Sequence, residues 1–495
     1  MQLKIFSRRS TQTEARTRPV GLKWRSSDWY ITFVVGYGIA TDLLVYNIIV
    51  PVIPFRLESL GYDQVSARTG WLLFAFSAGL ALSTPPIAYI SERFNSRRGS
   101  MIGGVIFLIV SQVIFMEAPL YWVMCLARVL QGVSSTMIWS VGLALLCDTV
   151  AEPTVGRQLG FAMTGLSIGL IVAPPIGGVL YTALGFRAPF VFGIVVAAID
   201  LFLRIVIIER KVADKWLTPS TEEKLESPNR ENPEGPSVDI ARQTEDAVPV
   251  VQASESDEQD PIEPKPETEG TPKAARLSSL KVMAKLLASP RAMTALLNSL
   301  IYGIVWAMLE PTLPLRLQAV YGYTSQKVGI IYLAPVVPTL FSGALAGWLT
   351  DRHGAQYVTI IPLLAAVPWW LVLAIRSKVS LFIVALAMAA FLSSSVVSPL
   401  TAELASVART LEGVGYAHVY GSFNLAYGVG SGIGPLLGGQ IYDHVEHGWT
   451  VVCALMAGFT LVAAIMAFGF SGEVSVARTI WRATRRSKRS NQIDI

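Results

Sequence analysis

Among the ionisable side chains inside long apolar runs of this 495-residue chain, Asp42, Arg128 and Glu310 stand out. A charged group at the middle of a bilayer costs about 2.5–3.5 kcal/mol on insertion scales, so such residues face a cavity or a partner. The chemistry open to a buried carboxyl is proton loading and release or the holding of a cation. Burial disfavours its charged form and a nearby cation favours it, and a cavity that opens and closes changes both. Tyr46 and Asn47 add polar groups next to Asp42, while Trp139, Trp306 and Tyr427 offer aromatic faces to a cation. Each residue also has a plainer reading. Asp42 as a permanently protonated packing residue, Glu310 as a helix-end carboxylate in water and Arg128 as half of a structural ion pair all stay open. Asp200 and Arg204 are four apart on one helix, so an intrahelical pair suffices to explain them.

The elements that must position these groups are membrane helices. The chain is 52% hydrophobic and 15% charged, with a mean hydropathy of +0.49, which is too apolar for an ordinary soluble protein. A span needs roughly 20 mostly apolar residues. Twelve such stretches can be marked, at 30–51, 69–89, 99–117, 121–147, 158–180, 188–208, 292–316, 327–349, 357–376, 380–407, 414–441 and 449–470. The expected fold is therefore all-α, with twelve transmembrane helices in two six-helix bundles, 29–210 and 291–471. Between them, 211–290 reads as a mostly disordered acidic linker: residues 212–270 hold 16 Asp/Glu against 5 Lys/Arg, with few aromatics. Tails at 1–28 and 472–495 flank the bundles. Residues 1–25 are polar and basic and lack a signal-peptide pattern, so the first span is expected to stay as an anchor. Cys125, Cys147 and Cys453 all lie in spans and imply no disulfide framework.

Lys and Arg crowd one side: Arg93, Arg97 and Arg98 after span 2, Arg157 after span 4, Arg352 after span 8, and a basic run after span 12. Positive loops mark the cytoplasmic face, so both termini and the linker are expected there. The two halves are also copies. Pro51-Val-Ile-Pro54-Phe-Arg56-Leu57 matches Pro311-Thr-Leu-Pro314-Leu-Arg316-Leu317, Glu92-Arg93 matches Asp351-Arg352, and Pro174-Pro175-Ile-Gly177-Gly178 matches Pro435-Leu-Leu-Gly438-Gly439, at offsets of 260, 259 and 261. Asp42 lies nine residues before its first proline, whereas Glu310 abuts its own, where proline favours a kink. The acids thus sit at different depths, with Asp42 as the proton or cation site and Glu310 as gate or second contact. Gly165 and Gly169, with Pro174, Pro175 and Gly178, and Gly434 with Pro435 in the second copy, allow close approach and bending. Glu92, Arg93, Asp351 and Arg352, with Asp148 as a further partner, are the expected gate clamps.

From about Trp29 to Phe470 the chain resembles the major facilitator superfamily. Ala88-Tyr-Ile-Ser-Glu92-Arg93-Phe-Asn95-Ser-Arg97-Arg98 is similar to its Gly-x-x-x-Asp-Arg-x-Gly-Arg-Arg loop, with departures at Ala88, Glu92 and Asn95; Gly347-Trp-Leu-Thr-Asp351-Arg352-His-Gly354 is nearer the pattern. Arg128-Val-Leu-Gln131-Gly132 resembles the Arg-x-x-Gln-Gly motif of proton-coupled members, and the run from Gly165 to Gly178 resembles the Gly/Pro motif of drug-type antiporters. More narrowly, Asp42 before Val50-Pro51-Val-Ile-Pro54, and Glu310 before Pro311, resemble the first and seventh helices of the vesicular monoamine transporters and their drug:proton antiporter relatives. Where those proteins carry acids in spans 10 and 11, this chain has Ser394 and Asn424.

The resemblance implies a secondary transporter, not an enzyme, that exchanges protons for a small amphipathic organic compound by rocking one bundle against the other. Asn47, Trp139, Trp306, Asn424 and Tyr427 are then candidate substrate contacts. A uniporter or symporter on the same fold, or a non-transporting sensor or scaffold that signals through its linker, is the alternative. No phosphate-binding Gly-x-x-x-x-Gly-Lys-[Ser/Thr] loop argues for an ATP-driven pump, and no metal or triad spacing stands out among four histidines. No cofactor or metal is expected. The expected partners are a small-molecule substrate, protons and the bilayer, for a monomer without nucleic acid. The plasma membrane is the expected location, with a vacuolar or vesicular membrane as the alternative.

Overall fold

A computed structural model describes residues 21–94, 97–150, 154–208, 279–411 and 416–472, together with 213, 216, 476 and 477. The calls on most of the linker and on both extreme tails lie outside the described residues. Every regular element described is helical. Eleven spans are long and apolar enough to cross a membrane: Asp28–Asn47, Val65–Ile87, Arg97–Glu117, Tyr121–Thr149, Arg157–Leu184 and Arg187–Val206 (spans 1–6), Pro290–Tyr321, Ser325–His353, Ala355–Val372 and Val379–Thr410 (spans 7–10), and Gly448–Phe470 (span 12). Span 11 is the helix Tyr416–His444, whose glycines lower its hydropathy but give it close neighbours. Apolar cores form within each half. One includes Val45, Leu108, Phe115 and Phe190; the other includes Met308, Leu313, Trp370 and Phe382.

Both bundle edges reach beyond their expected limits. Leu22–Arg25 is a short helix within the expected tail, docked by Arg25 Nε donating to the Val206 carbonyl at 2.7 Å. Ser279–Ala288 is helical within the expected linker, and its Leu286 is fully buried. An amphipathic turn that finds an apolar groove folds against it whatever the composition upstream.

The repeated proline phrase behaves differently in its two copies. Span 1 ends at Asn47 and the chain restarts as Ile53–Ser59. Span 7, by contrast, stays helical through Pro311 and Pro314, so the expected kink at Glu310 does not break the helix. Pro314 has no N–H to give the Glu310 carbonyl four residues earlier; the Tyr332 hydroxyl approaches that oxygen instead, at 3.4 Å.

At the face opposite the basic loops, the phrases help seal the bundles together. Ser325 Oγ donates to the Pro51 carbonyl at 2.8 Å and Ser66 Oγ donates to the Pro311 carbonyl at 3.1 Å, a pair of bonds related by the repeat. Gly178 lies against the Ser325 backbone and Gly439 against the Ser66 backbone. One bond is not duplicated. The Asp443 carboxylate accepts the Ala67 N–H at 2.7 Å, capping the first turn of span 2 from the other bundle. Further along spans 2 and 11, Gly432 still approaches Ser77, whereas Gly428 and Gly421 have open space beside them. The seam is thus closed on the side opposite the basic loops and parts toward the basic side.

Candidate functional site

On span 1, Gly38, Asp42 and Tyr46 are spaced by four and lie along one face. Span 4 runs antiparallel beside it and presents Arg128, Gln131, Ser135 and Trp139. Asp42 is 1% exposed. Its Oδ2 accepts from Ser135 Oγ at 2.6 Å and from Trp139 Nε1 at 2.9 Å; its Oδ1 is buried without a hydrogen-bond partner. Trp139 sits in a π-helical turn, Met137–Val141. Such a turn adds one residue to the helix and re-aims the side chains around it, and it is common at functional sites. Here it brings the indole N–H onto the carboxylate.

One turn further along span 1 the site crosses between bundles. The Tyr46 hydroxyl donates to Glu310 Oε2 at 2.8 Å, joining span 1 to span 7. Phe76 of span 2 packs on the Tyr46 ring with centroids 4.6 Å apart. Arg128 is fully buried, 5.4 Å from the Tyr46 ring centroid and 5.5 Å from that of Phe115, and its Nη1 donates to Gln131 Oε1 at 2.9 Å. Its charge rests on two ring faces and an amide, and a desolvated cation–π contact is worth about 2 kcal/mol. The result is a line of two polar groups, Asp42 with Ser135 and Trp139, then Arg128, Gln131, Tyr46 and Glu310, with a carboxyl in each bundle.

The remaining expected residues divide. Tyr302 and Trp306 of span 7 stand with their ring centroids 6.3 Å apart, and Tyr302 and Tyr427 of span 11 with theirs 5.7 Å apart, so two expected aromatics share one cluster. Asn424 is exposed one turn from Tyr427. Asn47 directs its amide to the Leu43 carbonyl at 2.9 Å, which ties it to its own helix. Ser394 is buried and bonded to Ser342 at 2.7 Å, away from the line. Asp148 pairs with Arg97 at 3.1 Å inside its own bundle; the clamp expected between bundles belongs to the state with the basic side closed. Arg352 lies 4.1 Å from the Trp348 ring centroid, and Asp351 is exposed. The side chains of Glu92 and Arg93 lie outside the described residues.

Gly165, Gly169 and Gly177 press span 5 onto Gly36, Ala40 and Ile48 of span 1, and Gly430, Gly434 and Gly438 press span 11 onto Leu300, Ile304 and Met308 of span 7. Both helices carry their prolines without interruption, so these motifs act through close approach more than bending. Ser135 and Gln131 were not singled out from the sequence as contacts, although both follow Arg128 at helical spacing. The Asp443–Ala67 bond had no local signal.

The family model described as Major Facilitator Superfamily matches residues 35–324 and 295–491. The chain belongs to the major facilitator superfamily. It is 28% identical over 480 residues to the MFS-type transporter ppzB of Metarhizium rileyi, covering 92% of this chain and 97% of that one. It is 23% identical over 401 residues to the human chromaffin granule amine transporter, covering 80% of this chain and 64% of that one. Among solved structures it resembles an inward-facing bacterial homologue of the human lysosomal transporter Spinster, with a TM-score of 0.67 at 14% identity over 89% of this chain and 96% of that one. The chain is therefore a multi-pass membrane protein and a secondary transporter of this superfamily. The two six-helix bundles and the repeat between them are the superfamily's arrangement.

Proposed function

We propose that this transporter exchanges protons for a small amphipathic organic compound, an amine or another organic cation before a neutral one, and that Asp42 is its proton site. The observation that carries this reading is the position of Asp42. It is a fully buried carboxyl with one oxygen held by Ser135 and Trp139 and the other unpartnered, on the same helix face as the Tyr46–Glu310 bond between bundles. Protonation changes what the free oxygen can do, and the next turn of the same helix reports to the other bundle. The relatives named as amine and acetylcholine transporters support an organic cation as cargo.

In this scheme the basic loops and both termini are cytoplasmic, the parted side of the seam takes cargo from the cytoplasm, and export follows when the bundles rock. Glu310 acts as gate and second contact. Trp306, Tyr427 and Asn424 line the cargo path, Arg128 sets the local field, and Asp351–Arg352 with Glu92–Arg93 close the cytoplasmic side in the alternate state.

The test is uptake of radiolabelled serotonin, acetylcholine or ethidium by proteoliposomes with an acid interior. Gradient-dependent uptake of at least one probe is expected with the native protein. Asp42→Asn should abolish the gradient's effect while leaving exchange of labelled for unlabelled probe at equal pH. Gradient-driven uptake that survives in Asp42→Asn would remove Asp42 from the proton role.

A further inference from the structure

Arg204 on span 6 is a buried guanidinium outside the line just described. It is 1% exposed, and Asp200 is fully buried. Its Nε reaches Asp200 Oδ1 at 3.0 Å and Oδ2 at 2.9 Å. Its Nη1 and Nη2, which carry four of the five donors, are buried and find no hydrogen-bond partner. An i,i+4 ion pair alone does not explain why so much of the donor set is turned away from Asp200.

Its location does. A Cβ at Gly38 would fall on Arg204 Nη2, with Arg204 Cζ at 3.0 Å and Asp200 Oδ1 at 3.4 Å, so the guanidinium lies in the space that the missing side chain leaves on span 1. Gly38 is one turn before Asp42, whose Oδ1 is also buried and unpartnered. Both Arg204 and Asp200 act on Asp42 electrostatically. The charge arithmetic is simple: two carboxylates and one guanidinium are neutral together only when one carboxyl holds a proton. Ionising Asp42 leaves a net negative cluster in a dry bundle, which is costly unless the guanidinium is shared.

The other bundle offers a comparison. At an offset of 260, Gly38, Asp42, Asp200 and Arg204 correspond to Asn298, Tyr302, Thr460 and Ala464. There a small cavity is lined by residues that include Asn298, Tyr302, Ser393 and Thr460 and no carboxyl or basic side chain. The ionic set belongs to the bundle that carries Asp42.

We propose that Arg204 is a positioning residue for the Asp42 proton: Asp200 and Gly38 hold its Nη edge against span 1 as the counter-charge toward which ionised Asp42 turns. This rests on the reading that Asp42 binds the coupled proton. Other groups near Asp42 are accounted for. Tyr37 and Tyr46 flank it on span 1, Arg128 and Glu310 gather around Tyr46 one turn on, and span 5 meets this stretch with Gly165 and Gly169.

The experiment is pH-difference infrared spectroscopy on the purified full-length protein, with the protonated-carboxyl band of Asp42 assigned by its loss in Asp42→Asn. Asp200→Asn releases Arg204 to Asp42 and should move the band's midpoint to lower pH, by about tenfold or more in proton affinity. The double variant Asp200→Asn with Arg204→Gln, a near-isosteric neutral pair that keeps the bundle filled, should move it the other way by a smaller factor, because the two charges it removes act on Asp42 in opposite directions. The double variant decides the matter even if Asp200→Asn fails to fold. Midpoints equal to the native one in the folded variants would overturn the proposal and leave Arg204 a structural pair. Absence of any titrating Asp42 band in the native protein would instead overturn the Asp42 proton reading, and this inference with it.

Discussion

Gly438 and Gly439 are neighbours on span 11 that face different partners, so alanine at each should separate folding from gating. A Cβ at Gly438 would lie 2.6 Å from the Met308 carbonyl oxygen, inside its own bundle; at Gly439 it would lie 2.5 Å from the Ser66 carbonyl oxygen, across the seam. Ordinary contact begins at 3.4 Å, so the second clash falls short by about 0.9 Å, against backbone that cannot rotate aside. Overpacking of this kind costs about 1–3 kcal/mol. For Gly438→Ala the cost applies in every state, because spans 7 and 11 stay packed within one bundle as the bundles rock; it is partly offset by the ~1 kcal/mol that alanine gains in a helix. For Gly439→Ala the same helical gain applies in both states and cancels from their ratio. The clash exists only while the seam is closed. The closed-to-open ratio should therefore fall by roughly five- to 160-fold. The assay is cross-linking of Glu58→Cys to Gln318→Cys with a short bismaleimide, since these side chains bond across the seam at 2.8 Å. Gly439→Ala should lower the yield with little change in thermal midpoint, whereas Gly438→Ala should lower the midpoint and leave the yield. Equal behaviour of the two variants, or an unchanged yield in Gly439→Ala, would refute the assignment of these glycines.

Two more outcomes follow from single bonds. Tyr46→Phe removes a hydroxyl that donates to Glu310 between bundles; a hydrogen bond is worth about 0.5–1.5 kcal/mol net, so the same cross-link yield should drop, and an unchanged yield would show that the bond does not hold this state. Glu403 is 5% exposed, pairs with Arg291 at 2.7 Å and accepts the Gly472 N–H at 2.9 Å, tying the ends of spans 7, 10 and 12 together. Because Arg291 is 25% exposed and can reach solvent, Glu403→Gln should cost less than the 3–5 kcal/mol of breaking a fully buried pair, seen as a lowered thermal midpoint in detergent with the proton dependence of transport unchanged.

Much of this architecture was legible because membrane helices announce themselves by length and apolarity, and because the duplication left matched phrases. The acids were legible for the same reason, since a lone carboxyl in an apolar run has to be housed. What was not legible depends on contacts between distant segments. Nothing near Asp148 indicates that Arg97 pairs with it inside the bundle in this state. Nothing local distinguishes Gly177 from Gly178, or Gly438 from Gly439, although one of each pair packs inside a bundle and the other between bundles. The π-turn at Met137–Val141 has no proline or glycine signal inside it, so the aim of Trp139 onto Asp42 emerges only from the fold. Proline, in turn, predicted too much at Glu310, because a helix packed on both sides keeps its course when a neighbouring hydroxyl takes the freed carbonyl.

The repeat also explains how mechanics and chemistry can be divided in one chain. The seal is shared by both halves: Ser66 with Pro311 and Ser325 with Pro51, Gly439 with Ser66 and Gly178 with Ser325. A rocking motion about a pseudo-twofold needs matched surfaces, so these positions carry little freedom to diverge. The interiors of the bundles carry no such constraint. There one copy places Asp42, Asp200 and Arg204, and the other places Tyr302, Thr460 and Ala464 at the same offset. Among the described residues, the Tyr46–Glu310 bond alone connects the ionic interior of one bundle to the span of the other at this depth. Under the proposed proton role, a proton on Asp42 is felt by the opposite bundle through that turn of span 1, where the helix ends at Asn47 and the break at 48–52 separates the charged face from the seal.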